Sequence, residues 1–257
     1  MHLRPSIPLI YISMNAKIVL TMVKIILPIT FILSLLSVHA YTQNRGPIAD
    51  NERTYTFEDF DILMLNGAFE VELFQGNREE VILRGPENIL DDIVVNQHGP
   101  KVIIGDKPYK NKSLRKVRAV VYVKNLHELE INGISHLECM TPIQSDRLKL
   151  YCNGIRNVEF DLDVEDLVAT FDGIGSTYLA GIVRNGDIEC SGMGNFYAAD
   201  LRVAVLHFES AGIGKAEIYA DQELHIDVSG IGTVRYAGNP EIKSINKDGI
   251  GKVRAMY

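Results

Sequence analysis

Residues 171–194 read FDGIGSTYLAGIVRNGDIECSGMG. Asp172-Gly173-Ile174-Gly175 returns as Ser191-Gly192-Met193-Gly194, 19 residues on. Working outward, the same glycine, preceded by a small and mostly polar residue, recurs at Asn132-Gly133, Asn153-Gly154, Ala211-Gly212, Ser229-Gly230 and Asp248-Gly249. The spacings are 21, 19, 19, 20, 18 and 19, so seven units fill Leu126 to Tyr257. A fixed period of this length is the mark of a repeat architecture.

Five columns around the glycine are mainly apolar. Four before it stand Leu129, Leu150, Ala169, Ile188, Phe208, Ile226 and Ile245. Two before it the set includes Ile131, Cys152, Phe171, Cys190 and Val228; one after it stand Ile134, Ile155, Ile174, Met193, Ile213, Ile231 and Ile250. The positions four and six after complete the set, and the columns between are mainly polar. Alternation with period two on both sides of a glycine is a strand–corner–strand pattern. One unit of about 19 residues cannot bury its own apolar face, but stacked units can. The predicted fold is therefore all-β: a single-stranded parallel β-helix, or solenoid, with turns of about 19 residues. A glycine corner fits a backbone with φ > 0, and an Asn, Asp or Ser before it can hydrogen-bond the turn locally.

Outside these units the pattern changes. Residues 1–40 hold Arg4, Lys17 and Lys24, no acid, and the apolar run Ile25–Val38 ending in Val38-His39-Ala40. This describes a secretory signal peptide cleaved after Ala40, with 41–54 as linker. No Cys sits just after the apolar run, so a bacterial lipoprotein anchor is not expected. Residues 55–257 are then the solenoid, with 55–125 as irregular opening turns or a cap. There Ile62–Phe74 repeats the strand–Asn-Gly–strand pattern once, and Ile89–Val95 reads as a strand, with one helical turn over Ile89–Asp92 as the alternative. Without residues 1–40 the formal net charge falls from −7 to about −10, which argues against a nucleic-acid partner. Cys152 and Cys190 share a column two turns apart, about 9.6 Å at strand spacing, too far for a disulfide. Cys139 with Cys152 stays open as a pair.

The corners Asn-Gly-Ile-Ser at 132–135, Asp-Gly-Ile-Gly at 172–175, Ala-Gly-Ile-Gly at 211–214 and Ser-Gly-Ile-Gly at 229–232 resemble the head GIN domain of autotransporter adhesins. So does the lead-in at 121–133, Val-Tyr-Val-x-Asn-Leu-x-x-Leu-Glu-Ile-Asn-Gly. The resemblance covers about residues 55–257. It implies a β-helical domain exported by Gram-negative bacteria, with no established activity. Because the last repeat runs to Tyr257, no membrane barrel is expected after it, and self-transport through one is not expected.

No G-x-S-x-G, HExxH or GxxxxGK[ST] is present, and the Gly-Ile-Gly corners lack the third glycine of a dinucleotide fingerprint. Three outward features are candidate sites. Asp187, His207 and His225, with Glu189, Glu209 and Asp227, fall in two columns on consecutive turns. Stacked like charges are destabilising, so a divalent cation there would relieve them; a solvated acidic face is the plain alternative. Tyr178 and Tyr197 stack five after the glycine and could lie against a sugar ring or a partner protein, or only support the sheet. Lys107, Lys110, Lys112 and Arg115 sit in a basic loop that could contact anionic glycan or headgroups, or simply be solvated.

The expected function is an exported cell-envelope binding module, adhesin-like, without catalytic activity and without a resident cofactor. Its partner would be an envelope or surface ligand, a glycan or a protein, and only the signal segment would meet a membrane. The expected location is the periplasm, the outer-membrane surface or the exterior. An assembly-forming structural protein ranks second, and a polysaccharide-processing enzyme third, since its carboxylates would lack a basic partner in their columns.

Overall fold

The computed structural model describes residues 51–106, 117–133 and 135–256. Of these residues 77% are strand and almost none are helix, and the stacking reads as a β-solenoid of about six turns. The seventh sequence unit supplies only two short strands, β14 (Glu241–Lys247) and β15 (Lys252–Ala255), in largely exposed patterns.

The repeat region is β8 (Glu128–Asn132), β9 (Ser135–Cys139), β10 (Ile143–Cys190), β11 (Met193–Ser210), β12 (Ile213–Val228) and β13 (Ile231–Ala237). All pair in parallel, with the register the glycine spacing predicts: Ile174 opposite Met193, Met193 opposite Ile213, Ile213 opposite Ile231. The columns four before and four after the glycine form the core, with Leu129, Leu150, Ile188, Phe208, Ile226, Leu137, Val158 and Phe196 buried. Phe171, Phe196 and Phe208 pack within it as tilted ring pairs, 5.4 and 5.5 Å between centres. All three cysteines are free thiols.

The corner glycines are required by space. An added Cβ at Gly173 would stand 1.6 Å from the Gly154 carbonyl oxygen, and one at Gly192 1.9 Å from that of Gly173. The second glycines Gly194, Gly214 and Gly232 meet the same obstacle, at 1.8, 1.6 and 2.0 Å from the oxygen of the glycine one turn before. Gly173 does have a positive φ of 153°, but Gly192, Gly212 and Gly230 have none in the left-handed range. The φ argument from sequence holds at some corners only, whereas stacking forbids a side chain at all of these. Nor do the asparagines before the glycine close only their own turn. Asn132 Nδ2 donates to Asn66 Oδ1 at 3.1 Å, and Asn153 Nδ2 to Asn132 Oδ1 at 3.3 Å, a ladder across turns.

The opening region is part solenoid and part cap. β2 (Ile62–Asn66) and β3 (Glu70–Gln75) flank Gly67 and lie parallel under β8 and β9, so Asn66-Gly67 is a true corner. Beneath them lie β6 (Lys101–Asp106) and β7 (Arg118–Val123), also parallel, although they come later in the chain. The remaining strands leave the parallel pattern: β1 (Asn51–Thr56), β4 (Glu80–Gly85) and β5 (Ile93–His98) are antiparallel to the strands they pair with. β1 begins inside the stretch read as linker. Ile89 falls in the short helix α1 (Glu87–Leu90), so the helical alternative is the one observed. Arg53 ties β1 to it through Glu87 and, at 2.6 Å, Asp91.

Candidate functional site

Tyr178 and Tyr197 point outward because their chain neighbours Thr177, Leu179, Phe196 and Ala198 are buried. The parallel register sets one above the other, and their rings stack 5.0 Å apart at 16°. Tyr178 is 45% exposed; Tyr197 is half-buried. Along the solenoid the column continues as Glu217, Arg235 and Arg254. Lys215 Nζ lies 2.6 Å from Glu217 Oε1 and 6.0 Å from the Tyr197 ring centre, and Arg235 Nη1 lies 3.2 Å from Glu217 Oε1. On the turn before Tyr178 the column holds Glu159, paired in register with Glu138.

Just past the tyrosines the ladder slips: Tyr178 faces Tyr197, but Ala180 faces Asp200. The 20-residue turn carries one residue more than its neighbour, and a strand bulge of this kind re-aims side chains. A cleft of about 540 Å³ opens there, bordered by Tyr178, Tyr197, Glu159, Asp161, Asp200 and Glu217. The Cys139 thiol also lines it. Burial pushes that thiol's pKa well up, reinforced by the negative charges of Asp161, Glu138 and Glu159, so it is a packed group and a poor nucleophile.

The acidic patch is assembled as the register predicts. Asp187, His207, His225 and Ser244 form one outward column, and Glu189, Glu209, Asp227 and Asn246 the other. The imidazoles of His207 and His225 stack at 4.0 Å and 14°. His225 Nδ1 is 3.1 Å from Ser244 Oγ, and Asn246 Nδ2 donates to Asp227 at 2.6 Å. Among the described residues no three His, Cys, Asp or Glu side chains are grouped so as to hold a metal ion. The candidates share a face, and their donor atoms do not converge. Lys107, Lys110, Lys112 and Arg115 lie outside the described residues.

One feature escaped the sequence reading. At the five later corners the residue after the glycine, grouped there with the apolar columns, is exposed: Ile174 47%, Met193 50%, Ile213 52%, Ile231 52% and Ile250 79%. The signal was available. Buried columns stand at even offsets from the glycine, and this one stands at an odd offset, so alternation sends it outward. The result is an aliphatic ladder on the corner ridge, flanked by glycines that give it no cover.

A family model described as "Putative auto-transporter adhesin, head GIN domain" matches residues 59–240. The chain belongs to this family. Solved structures that share this fold include a putative adhesin from Bacteroides fragilis, with a TM-score of 0.77 at 22% identity over 80% of this chain and 96% of that one. A putative lipid binding protein from Parabacteroides distasonis superimposes with a TM-score of 0.59 at 19% identity, and a putative adhesin from Parabacteroides merdae with 0.58 at 19%, each over 80% of this chain and 96% of the other. At these identities the likeness to the solved structures is one of fold. No curated protein matches.

Proposed function

We propose that this head GIN domain is an exported, non-catalytic binding module that holds an envelope or surface ligand on the outward columns of its solenoid. The observation that carries this reading is the Tyr178–Tyr197 pair, stacked in register beside a cleft of about 540 Å³. Exposed aromatic rings give a large contact area with few rotatable bonds, so little freedom is lost when a partner covers them. The backbone beneath is fixed by a ladder on both sides, so the rings are positioned before any ligand arrives. The family name and the named relatives support an adhesin-like role. Export is supported by the basic start, apolar run and Val38-His39-Ala40 end of residues 1–40.

The test is binding of the purified chain to an array of neutral, acidic and amino glycans together with basic and acidic peptides. A ligand retained by the wild-type chain should lose at least tenfold in affinity with Tyr178→Ala plus Tyr197→Ala, with the thermal midpoint within a few degrees of wild type. Undiminished retention by the double variant would overturn the assignment of the tyrosine column.

A further inference from the structure

The tyrosine column contains one arrangement twice, complete at one end and incomplete at the other. At the complete end the chain holds its own ammonium: Lys215 Nζ lies 2.6 Å from the Glu217 carboxylate and 6.0 Å from the Tyr197 ring centre. Both attractions are of the kind that fixes an amine, an opposite charge and the negative face of an aromatic ring. At the other end Glu159 and Tyr178 stand in the same column on preceding turns, with Asp161 and Asp200 beside them in the cleft. The place that Lys215 fills, three after the glycine, is taken there by Asn157 and Ser176, whose own polar groups meet at 3.2 Å. Among the described residues no cation pairs with Glu159, Asp161 or Asp200. Tyr178 therefore offers an exposed ring on the side where Tyr197 has a lysine, beside carboxylates that no cation among the described residues pairs with.

We propose that this cleft binds a protonated amine carried on an apolar stem, with the stem across the open face of Tyr178 and the charge against Glu159 and Asp161. A lysine side chain of a partner protein has this shape, and Lys215 shows the same group seated on the same pair of surfaces. An excess of seven negative charges on the chain would draw such a partner in. The proposal rests on the binding-module reading and adds the chemical class of the ligand.

The experiment titrates the full chain, at physiological ionic strength, with fluorescein-labelled octalysine, its fully acetylated counterpart, a chitosan oligosaccharide and a chitin oligosaccharide. Octalysine should bind, and acetylation should weaken it at least tenfold. Tyr178→Ala and the pair Glu159→Gln, Asp161→Asn should each weaken octalysine at least tenfold. The pair Asp187→Asn, Glu189→Gln removes the same charge from another face and should change it less than twofold. Circular dichroism and the thermal midpoint verify folding, and Tyr178→Phe, which keeps the ring, should retain binding if Tyr178→Ala unfolds the chain. Equal losses from the two neutralised faces would mean that net charge alone is read, and would overturn the proposal. Chitosan binding that depends on Tyr178, without octalysine binding, would overturn the protein source of the amine. Tyr178-dependent binding of chitin alone would overturn the amine and leave the binding module standing. If no probe here or on the array depends on Tyr178, both readings fall.

Discussion

The opening region and the repeat turns use glycine for opposite reasons. Gly76, between β3 and β4, and Gly99, between β5 and β6, would meet nothing within 4 Å if each carried a Cβ. Gly192 and Gly212, in the repeat, would drive a Cβ to 1.9 and 2.0 Å from a carbonyl oxygen of the turn before. Where every turn repeats the one beneath it, a crowded position is crowded in every turn, and one residue type fills the column. Where strands reverse and cross, as from β4 to β7, no such column exists and each glycine answers to its own turn. Periodicity in this chain therefore reports contact between turns rather than the shape of any single turn.

The largest effect expected from this contrast is at Gly192. Gly192→Ala must push its rung away from Gly173 and strain the hydrogen bond from Ser191 N–H to the Phe171 oxygen, now 3.0 Å. A loss of at least about 3 kcal/mol is expected, the upper range for a forced core clash. Gly76→Ala keeps its bond from N–H to the Val123 oxygen and should change stability by no more than about 0.5 kcal/mol. Urea denaturation followed by circular dichroism measures both. Similar losses at the two sites would mean that the turns can separate freely, and the account of the corner would fail.

A second comparison lies within the repeat, between its two isoleucine columns. Ile226 has no exposed surface and Ile213 is 52% exposed. Ile226→Ala should cost about 3 kcal/mol, the middle of the range for deleting a buried aliphatic chain. Ile213→Ala should cost less than about 1 kcal/mol, since mostly strand propensity is at stake. The same denaturation curves decide it, and a large loss at Ile213 would show that the ridge is covered within the folded molecule.

These pairs also show what could be read in advance. The glycine spacing set the stacking register, because a parallel solenoid admits only one alignment of like residues, and Tyr178 over Tyr197 and His207 over His225 follow from it. The direction of β1, β4 and β5 was not legible: alternation marks a strand without saying which way its neighbour runs. The isoleucine ridge was legible by counting parity but was hidden by composition, since an apolar column looks like core. The cleft beside Tyr178 depends on one extra residue in the turn at Gly192, visible as a spacing of 20, yet only the pairing of Ala180 with Asp200 shows where the slip falls. The ammonium held by Lys215 depends on where a flexible side chain settles, which a column position does not specify.

The smallest effect is expected where sequence columns looked most like a metal site. Register brings Asp187, His207 and His225 onto consecutive turns beside Glu189, Glu209 and Asp227, but a metal needs donor atoms that converge. Imidazoles stacked 4.0 Å apart and within 14° of parallel direct their nitrogen lone pairs along nearly parallel lines, which do not meet at one ion. His225 and Asp227 are moreover already engaged by Ser244 and Asn246 on the next turn. A cation bound only to the folded chain at a hundred times its Kd would add about 2.7 kcal/mol, a rise of a few degrees in the thermal midpoint. Calcium or zinc added after EDTA should instead leave the midpoint within about a degree, far below that linkage value, and His207→Ala should not alter that result. A rise of several degrees, abolished by His207→Ala and by Asp227→Ala, would show that the rings turn out of their stack to meet a metal, and that a register position can outweigh the orientation seen in the unliganded chain.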